Sequence, residues 1–567
     1  MQVALVLIAA LAVAYPLGLY LADVFDHKPT RFDWLFAPFE RALLRLVGIR
    51  GEAPGMDWRQ YAAAMLVTNF LMALLILLIL LAQGALPLNP LRLSGMAPLQ
   101  AFNTAVSFIT NTNWQSYGGE ATLSYFSQMG AITFPMFTSA ATGFAVAIAF
   151  IRGIIGRTTM GNFYEDMVLV ISRILLPLSL VGALFLVFQG VPQTLAPSAQ
   201  AVGPQGIAQT IPRGPVASLD AIKHLGTNGG GYYNQNSAHP LENPTPASNV
   251  LQLLFMMALP MALVVAFGQM LGNHKQARVV FGAMGAMFLV FLSVVSWAET
   301  AGNPMLTRLG LDQAPSLLQA GGNMEGKEVR FGQALSALFV AVTTAFTTGS
   351  VNTMHDSLTP MGGFVPLAQM MLNNVFGGKG VGFMNFVLYG ILAVFLTGLM
   401  VGRTPEFLGK KIEQKEIVLA AIALLVHPFI ILVPAAIAVI APFGLSSLGN
   451  AGYHGLSEIL YAYTSGAANN GSAFAGLNAN TPWYNLSIAL VMLFGRYVSI
   501  IALLAIAGSL ASKPHVPEGP GTLRTDTPLF GAIWLAIILI VGALTFFPVV
   551  ALGPVAEQLA MRAGRTF

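Results

Sequence analysis

The chain has 567 residues, of which 55% are hydrophobic and 9% charged, with a formal net charge of +4 and a mean hydropathy of +0.70. Soluble proteins carry about 25% charged residues, so this composition excludes an ordinary soluble globule and indicates a polytopic helical membrane protein. The small net charge gives no support for nucleic-acid binding, and the lack of cysteine excludes disulfides and thiolate sites.

Ten apolar runs are long enough to cross a bilayer as helices, which takes about 20 residues. The first run lacks a basic leader and a convincing cleavage site, so it is predicted to be retained as a membrane helix. The predicted spans lie near 2–22, 61–86, 127–152, 166–190, 249–271, 279–299, 380–402, 416–441, 485–510 and 529–553.

The segment 32–49, after the first span, combines aromatic residues and leucines with Glu40 and arginines. This pattern fits a helix that lies flat on the cytoplasmic membrane interface. A helix packed within a cytoplasmic loop fits it equally well, and the sequence leaves both interpretations open.

Lysine and arginine are concentrated in the loops after the first, third, fifth, seventh and ninth spans. Cytoplasmic loops are enriched in these residues, which predicts an extracytoplasmic N terminus. Arg562 and Arg565 in the tail then fall on the outward side, against the trend.

Four successive units each combine a span, a short apolar–polar run, a polar turn and a second span. The short runs 98–116, 217–231, 333–350 and 453–471 are predicted to be re-entrant, because they are too short to span. Identity between the units is low, so the repeat is one of architecture, and repeat-built transporters place their substrate near the midplane between repeats.

The sequence therefore predicts an all-α polytopic membrane protein, with four helix–pore loop–helix units around a pseudo-fourfold axis. It forms a single integral membrane domain over 1–567. The predicted parts are an N-terminal helix and cytoplasmic loop at 1–59, pore units at 60–157, 165–275, 278–410 and 415–512, and a C-terminal helix at 525–567.

Each short run leads into a stretch rich in Gly, Asn, Thr and Ser, at 110–114, 227–231, 347–351 and 465–471. Non-helical backbone at membrane depth is tolerated where protein or a watery cavity surrounds it, and carbonyls in a selectivity filter replace the hydration shell of an ion. Glycine permits unusual dihedral angles, and a helix entering from outside points its partly negative end at the centre, which favours a cation. The predicted filter residues are Asn111, Thr112, Asn113, Thr227, Asn228, Gly229, Gly230, Gly231, Thr347, Thr348, Gly349, Ala467, Ala468, Asn469, Asn470 and Gly471.

These stretches contain no Asp or Glu. Divalent cations are usually held by carboxylates, so carbonyl ligands favour potassium over calcium or magnesium. Glu120, Glu242, Asp356 and Glu458 lie nearby in the sequence. They could attract cations, or they could be ordinary solvated loop charges.

Charge within a span is costly and usually functional. Arg496 lies mid-span, and we predict that it sits just below the filter and limits leak; structural pairing with backbone carbonyls is the alternative. Arg173 lies nearer a helix end and is expected to extend toward the membrane surface. The stretch 373–382 interrupts the third unit. It is predicted to form a gate with Asn373, Gly377, Gly378 and Lys379, and the alternative interpretation is an ordinary re-entrant kink.

The chain resembles a known family over essentially its whole length. The residues that carry the resemblance are Thr227-Asn228-Gly229-Gly230-Gly231-Tyr232-Tyr233-Asn234 with Ser237-Ala238-His239-Pro240, Met354-His355-Asp356-Ser357, the loop 402–411 and Ala468-Asn469-Asn470-Gly471-Ser472-Ala473-Phe474. They are similar to motifs of the potassium-translocating A subunit of the bacterial Kdp-type potassium-transporting ATPase, KdpA. The resemblance implies an inner-membrane complex with a P-type ATPase as the B subunit, a single-span C subunit and a small F peptide.

The resemblance further implies that potassium enters the filter from outside and leaves sideways into the ATPase, which moves it inward. The chain departs from the family pattern in two places. Phe346, Thr347 and Thr348 stand where members carry smaller residues, and Asn373 and Lys379 stand where an acidic and an apolar residue are common. These departures bear on gating and leave the predicted ion unchanged.

The chain has no phosphate-binding GxxxxGK[ST] loop and no Asp-Lys-Thr-Gly run. We therefore expect potassium as its ligand and no bound nucleotide, with ATP hydrolysed by a partner subunit. His239 and Glu242 lack an evident third metal ligand and are expected to make loop hydrogen bonds. The main alternative is a stand-alone potassium channel or ion-coupled symporter; an intramembrane enzyme is disfavoured, because no converging His, Asp, Glu or Ser/Lys groups are found within the spans.

Overall fold

The computed structural model describes residues 1–378, 380–402, 404–517, 519 and 523–565. Two helices precede the repeated part of the chain, and the first unit follows them. They are α1 (Gln2–Phe25) and α2 (Asp33–Leu46), then α3 (Trp58–Ala82), α4 (Pro98–Ile109), α5 (Gly119–Thr122), α6 (Tyr125–Ser127) and α7 (Phe134–Ile154), with a 3-10 turn at Gln83–Ala85 and a π-helical turn at Gln128–Thr133 between α6 and α7.

The second and third units repeat this order of span, short helix, loop and span. The second unit comprises α8 (Phe163–Val170), a π-helical turn at Ile171–Leu175, α9 (Leu176–Phe188), strands β1 (Ala199–Val202) and β2 (Ala208–Ile211), α10 (Val216–Leu225), a 3-10 turn at Asn236–Ala238 and α11 (Pro246–Leu271). The third comprises α12 (His274–Thr300), α13 (Pro304–Arg308), α14 (Gly332–Ala345), a 3-10 turn at His355–Ser357, α15 (Pro360–Leu372) and α16 (Val381–Val401).

The fourth unit is followed by one further long helix. These elements are strands β3 (Glu406–Phe407) and β4 (Lys410–Lys411), helices α17 (Gln414–Ile440), α18 (Pro442–Leu445), α19 (Gly452–Ala467), α20 (Pro482–Ala511) and α21 (Pro528–Val550), a π-helical turn at Ala551–Val555 and α22 (Ala556–Arg562). The two strand pairs are small antiparallel hairpins, with Ala199 opposite Ile211 and Glu406 opposite Lys411.

The membrane architecture is confirmed. Within the described ranges, ten helical stretches are long and apolar enough to cross a membrane, and each overlaps one predicted span. The chain is therefore a multi-pass membrane protein. Four shorter helices, α4, α10, α14 and α19, each lie between two spans, and we call them the re-entrant helices. Because successive spans alternate in direction, the loops after all four re-entrant helices belong to the same side.

Burial separates inner from outer spans. In an apolar 18-residue window of each span, 89% of the residues are buried in the span that ends in α7 and 72% in α11, but only 17% in α21 with its C-terminal extension. The exposed parts of the outer helices are apolar, as lipid contact requires. Close approach of α1 to α11 depends on Gly18, where a Cβ atom would lie 2.5 Å from Cβ of Val265.

Helix α2 is fixed to the helical body on one face. Arg173 donates from Nε to Glu40 Oε1 at 2.6 Å and from Nη1 to Asp33 Oδ1 at 2.6 Å. Two carboxylates of α2 therefore hold the Arg173 guanidinium, and its extension toward the membrane surface stays a prediction. Trp34 and Leu35 remain exposed on the other face of α2, as an interfacial helix requires.

The third unit contains the predicted interruption. Helix α15 ends at Leu372, Asn373 adopts a left-handed φ of 45°, and α16 begins only at Val381. Gly377 and Gly380 between them also have positive φ, at 67° and 92°. Positive φ is not compatible with a continuing α-helix, so the chain changes direction within the core.

Candidate ion-binding site

All four re-entrant helices end in the same way. The second residue after each helix adopts a left-handed conformation, at Asn111 (φ 61°), Thr227 (φ 39°), Thr347 (φ 46°) and Asn469 (φ 53°). The N–H of the residue after each one bonds back to the helix, in the pattern of a Schellman motif. These bonds are Thr112 to Ser107 O at 3.0 Å, Asn228 to Lys223 O at 2.7 Å, Thr348 to Thr343 O at 2.8 Å and Asn470 to Ser465 O at 2.9 Å.

This repeated geometry defines four equivalent three-residue loops, which we call the central loops. They are 111–113, 227–229, 347–349 and 469–471. Asparagine tolerates left-handed backbone, but threonine is β-branched and rarely does. Thr227 and Thr347 therefore mark local strain of a kind that concentrates at functional sites.

The central loops meet one another at their glycines. A Cβ atom added at Gly349 would lie 2.0 Å from the carbonyl oxygen of Asn470 and 2.8 Å from Cα of Gly229. A Cβ atom at Gly471 would lie 1.8 Å from the carbonyl oxygen of Thr112. Carbonyl oxygens of one loop thus press against the backbone of the next, and only glycine permits this distance.

Side-chain amides connect neighbouring loops. Asn111 Nδ2 donates to Thr227 O at 2.9 Å, and Asn469 Nδ2 donates to Thr112 Oγ1 at 3.0 Å. Asn470 Nδ2 donates to Thr343 O at 3.0 Å, at the end of the third re-entrant helix. The four loops therefore form one buried assembly around a shared centre.

Several buried polar atoms of this assembly have no hydrogen-bond partner among the described residues. They are Asn113 Nδ2 and Oδ1, Thr227 Oγ1, Asn228 Oδ1 and Thr348 Oγ1. Native proteins satisfy almost all buried polar groups with protein, water or ions. Unsatisfied oxygens at the meeting point of four loops fit a site for water molecules or a cation.

Four predicted filter residues lie beside the central loops. Ala467 is the last residue of α19 and Ala468 is its cap. Gly230 packs against side chains, since an added Cβ would lie 3.0 Å from Cζ of Phe108, and the Gly231 N–H donates to Gln115 Oε1 at 2.8 Å. The other twelve predicted filter residues make up the four central loops.

The loop between α15 and α16 lies directly against the central loops. A Cβ atom at Gly378 would lie 2.7 Å from Thr227 Oγ1 and 3.0 Å from Thr347 O. Thr347 Oγ1 donates to Asn373 Oδ1 at 3.4 Å, and the Gly377 N–H donates to Ala345 O at 3.0 Å. Asn373, Gly377 and Gly378 are thus brought to the site, while Lys379 lies outside the described residues.

Arg496 lies one helical turn away from the same assembly. Asn469 Nδ2 donates to Met492 O at 3.1 Å, and residues four apart share a helix face. The Arg496 side chain is buried, with 6% of the residue exposed. Its predicted role as a leak barrier and the alternative of structural pairing with backbone carbonyls both stay predictions.

The nearby acidic residues differ in their surroundings. Glu242 is wholly buried in an ion pair with Lys223, so it is not a solvated loop charge. It faces Lys223, while His239 stacks on Tyr233 with ring centroids 3.9 Å apart. Glu120 accepts hydrogen bonds from the Asn234 N–H at 3.0 and 3.2 Å.

Asp356 and Glu458 belong to a cluster around His454. The His454 ring bonds from Nε2 to Asp356 Oδ1 at 2.9 Å and from Nδ1 to Glu557 Oε1 at 2.8 Å. Ionised carboxylates only accept, so both ring nitrogens donate and His454 is charged. Burial lowers the pKa of His454, but the hydrogen bonds to these two carboxylates outweigh burial and raise the pKa to about 10.

This histidine predicts a pH-dependent stability. A raised folded-state pKa stabilises fully below the unfolded pKa of about 6.5, and the contribution is lost as the pH rises toward 10. His454→Gln is expected to lower the free energy of unfolding by about 2 kcal/mol at pH 6, since hydrogen bonds to charged groups contribute about 1.5–3 kcal/mol each, less the cost of burial. Thermal unfolding of both forms between pH 6 and 10 measures the difference, which should narrow with rising pH. A constant difference would show that His454 is not held in its charged form.

In the described residues, ten spans and four re-entrant helices with converging loops define a membrane protein of the pore-loop class. A family model for the potassium-transporting ATPase A subunit, KdpA, matches residues 4–559. The crystal structure of the potassium transporter TrkH from Vibrio parahaemolyticus shares the fold, with a TM-score of 0.50 at 15% identity, covering 87% of this chain and 97% of that chain.

Two bacterial relatives are named potassium-transporting ATPase potassium-binding subunit. The protein of Alicyclobacillus acidocaldarius is 55% identical over 98% of this chain and 98% of its own length. The protein of Delftia acidovorans is 54% identical over 100% of this chain and 99% of its own length. The chain therefore belongs to the family of potassium-transporting ATPase A subunits.

Proposed function

We propose that this chain binds extracytoplasmic potassium in a carbonyl-lined filter and passes it on as the ion-translocating subunit of an ATP-driven, high-affinity import complex in the bacterial inner membrane. One observation carries the proposal: the central loops of four successive units converge so closely that Gly349 and Gly471 have no room for a Cβ atom. The choice of potassium as the ion rests on the names of the relatives, which describe a potassium-binding subunit.

The chemistry of the central loops fits a monovalent cation. They contain Asn, Thr and Gly and no carboxylate, so backbone carbonyls and hydroxyls are the available ligands, and such ligands suit a weakly hydrated ion such as potassium. The C-terminal ends of all four re-entrant helices face the central loops, and their partial negative charge favours a cation there.

The filter in this proposal consists of 111–113, 227–229, 347–349 and 469–471, flanked by Gly230, Gly231, Ala467 and Ala468. The α15–α16 loop with Asn373, Gly377 and Gly378 acts as the gate on the inward side, and Arg496 limits leak beside it. Each filter segment belongs to one pore unit, with the units at 60–157, 165–275, 278–410 and 415–512.

The energy for potassium transport comes from a partner subunit. The chain has no phosphate-binding loop of the GxxxxGK[ST] type, and we assign nucleotide hydrolysis to a B subunit that is a P-type ATPase. Two smaller membrane components, a single-span C subunit and a small F peptide, complete the complex.

Potassium-dependent unfolding tests the proposal. A tag on this chain should recover the ATPase partner in mild detergent, and potassium should raise the unfolding temperature of the complex in preference to sodium. A ligand at a hundred times its Kd stabilises by about 2.7 kcal/mol. Equal shifts with both ions would contradict a potassium filter, and potassium uptake by the chain alone, without ATP, would favour a stand-alone channel or symporter.

A further inference from the structure

The second unit differs from the other three directly behind its central loop. The residue four positions before the left-handed residue is Ser107, Thr343 or Ser465 in three units and Lys223 in the second. In two of those units the hydroxyl accepts a loop N–H, from Gly349 to Thr343 Oγ1 at 3.0 Å and from Gly471 to Ser465 Oγ at 3.0 Å. In the first unit Ser107 Oγ donates to Trp114 O at 3.0 Å.

Lys223 replaces this small hydroxyl with a buried charge. Its Nζ lies 2.8 Å from Asp220 Oδ1 and 2.5 Å from Glu242 Oε2, and all three side chains have zero exposure. Nζ also donates to Asn236 Oδ1 at 2.9 Å and to Ser237 Oγ at 3.0 Å. A buried ion pair stabilises little by itself, because the loss of hydration offsets most of the attraction.

Asn236 links Lys223 to a backbone carbonyl of the central loops. Asn236 Nδ2 donates to Gly229 O at 2.8 Å. A lysine ammonium has donors and no acceptor, so it can face only the oxygen of the Asn236 amide, which turns the NH₂ group toward Gly229. Ser350 Oγ from the third unit donates to the same Asn236 oxygen at 3.1 Å and supports this orientation.

We infer that Lys223 is a positioning residue of the potassium site, which fixes the Gly229 carbonyl through Asn236 and so sets potassium affinity and selectivity. The inference rests on the proposed function of the central loops. Both carboxylates that contact Lys223 make one further hydrogen bond. Glu242 accepts the Tyr233 N–H at 2.8 Å, and Asp220 Oδ2 accepts a hydrogen bond from Gln252 Nε2 at 2.8 Å. The cluster thus connects the segment after Gly229 to the re-entrant helix before it.

The test uses Asn236→Ala, Lys223→Met and the double variant in the full complex. Each single change should raise the potassium concentration for half-maximal ATPase activity about tenfold, with the maximal rate within about twofold, because a lost hydrogen bond at the site weakens binding by about that factor. The double variant should show no more than the larger single effect, since both act through one link. The ratio of the half-maximal rubidium concentration to the half-maximal potassium concentration should fall in all three variants.

Lys327→Met is the matched control. Lys327 Nζ lies 2.6 Å from Glu299 Oε2, and both side chains have zero exposure, but this pair lies in the outward loop region of the third unit. The control should lower the unfolding temperature as Lys223→Met does and leave potassium affinity and selectivity unchanged. Asn236→Ala leaves the ion pairs of Lys223 in place, so it decides the question if Lys223→Met does not fold.

Three outcomes would overturn the inference: wild-type affinity and selectivity in Asn236→Ala, additive effects in the double variant, or an equal affinity loss in Lys327→Met. The proposed function is judged separately by Gly471→Ala. If that variant loses potassium affinity while the Asn236 and Lys223 variants do not, only the role of Lys223 fails.

Discussion

Replacing Gly471 with alanine is expected to weaken potassium binding about a hundredfold. Gly471 has a φ of 97°, and an added Cβ would lie 1.8 Å from the carbonyl oxygen of Thr112. Left-handed backbone costs an alanine about 1–2 kcal/mol, and the clash with a backbone oxygen must also be relieved by moving the loops apart. A combined loss of about 3 kcal/mol corresponds to a hundredfold change in affinity.

Potassium-dependent ATPase activity and thermal stabilisation by potassium both measure this loss. Gly349→Ala should behave in the same way, because its Cβ would lie 2.0 Å from the carbonyl oxygen of Asn470. Gly466→Ala is the control, since it lies within α19 just before the fourth central loop, and an added Cβ would meet Cγ2 of Ile488 and Cγ1 of Val491 at 3.4 Å, an ordinary van der Waals distance. Its affinity should stay within about threefold of wild type, and equal losses at Gly466 and Gly471 would contradict the placement of the central loops.

The membrane spans and the four re-entrant helices were predictable from the sequence alone. Length and hydropathy determine a span, because every backbone polar group in lipid must be satisfied within the helix. The short runs ending in Gly, Asn and Thr were equally visible, since an apolar run of about 12 residues cannot cross a bilayer. The helix interruption after Leu372 was signalled by the cluster of glycines that follows it.

The register of the central loops was less accessible. Composition alone extended the fourth stretch back to Ala467 and Ala468, which complete α19, and extended the second forward to Gly230 and Gly231. Left-handed angles at Asn111 and Thr227 define the alignment of the four central loops. A sequence pattern could have revealed this alignment. In each unit an Asn or Thr is the second residue after the re-entrant helix, and a Gly or Asn follows two residues later.

Contacts between distant elements could not be read from sequence. Arg173 and Glu40 are 133 residues apart, yet they form a hydrogen-bonded ion pair. The sequence could have marked Lys223 as a candidate functional residue, because a charge within an apolar re-entrant run is unusual. Its link to Gly229 through Asn236 depends on a folded turn that no local pattern specifies.

Removing the charge of Arg496 is expected to increase passive potassium movement through the complex. Met492 and Arg496 share one face of α20, and Met492 O accepts a hydrogen bond from Asn469 of the central loops. A cation one turn away, at about 6 Å and an effective dielectric constant near 20, opposes a potassium ion by roughly 2–3 kcal/mol. Arg496→Gln should therefore raise leak about thirtyfold to a hundredfold, measured as tracer efflux without ATP from proteoliposomes that contain the complex.

Arg496→Lys separates charge from packing in this experiment. Lysine retains the positive charge, so its leak should stay close to wild type even if the altered shape lowers the unfolding temperature. If Arg496 served only to fill its position in α20, both variants would lose stability and neither would leak. Wild-type efflux and turnover in Arg496→Gln would remove its role as a barrier, whereas a leak confined to Gln would locate the barrier at this one buried charge beside the central loops.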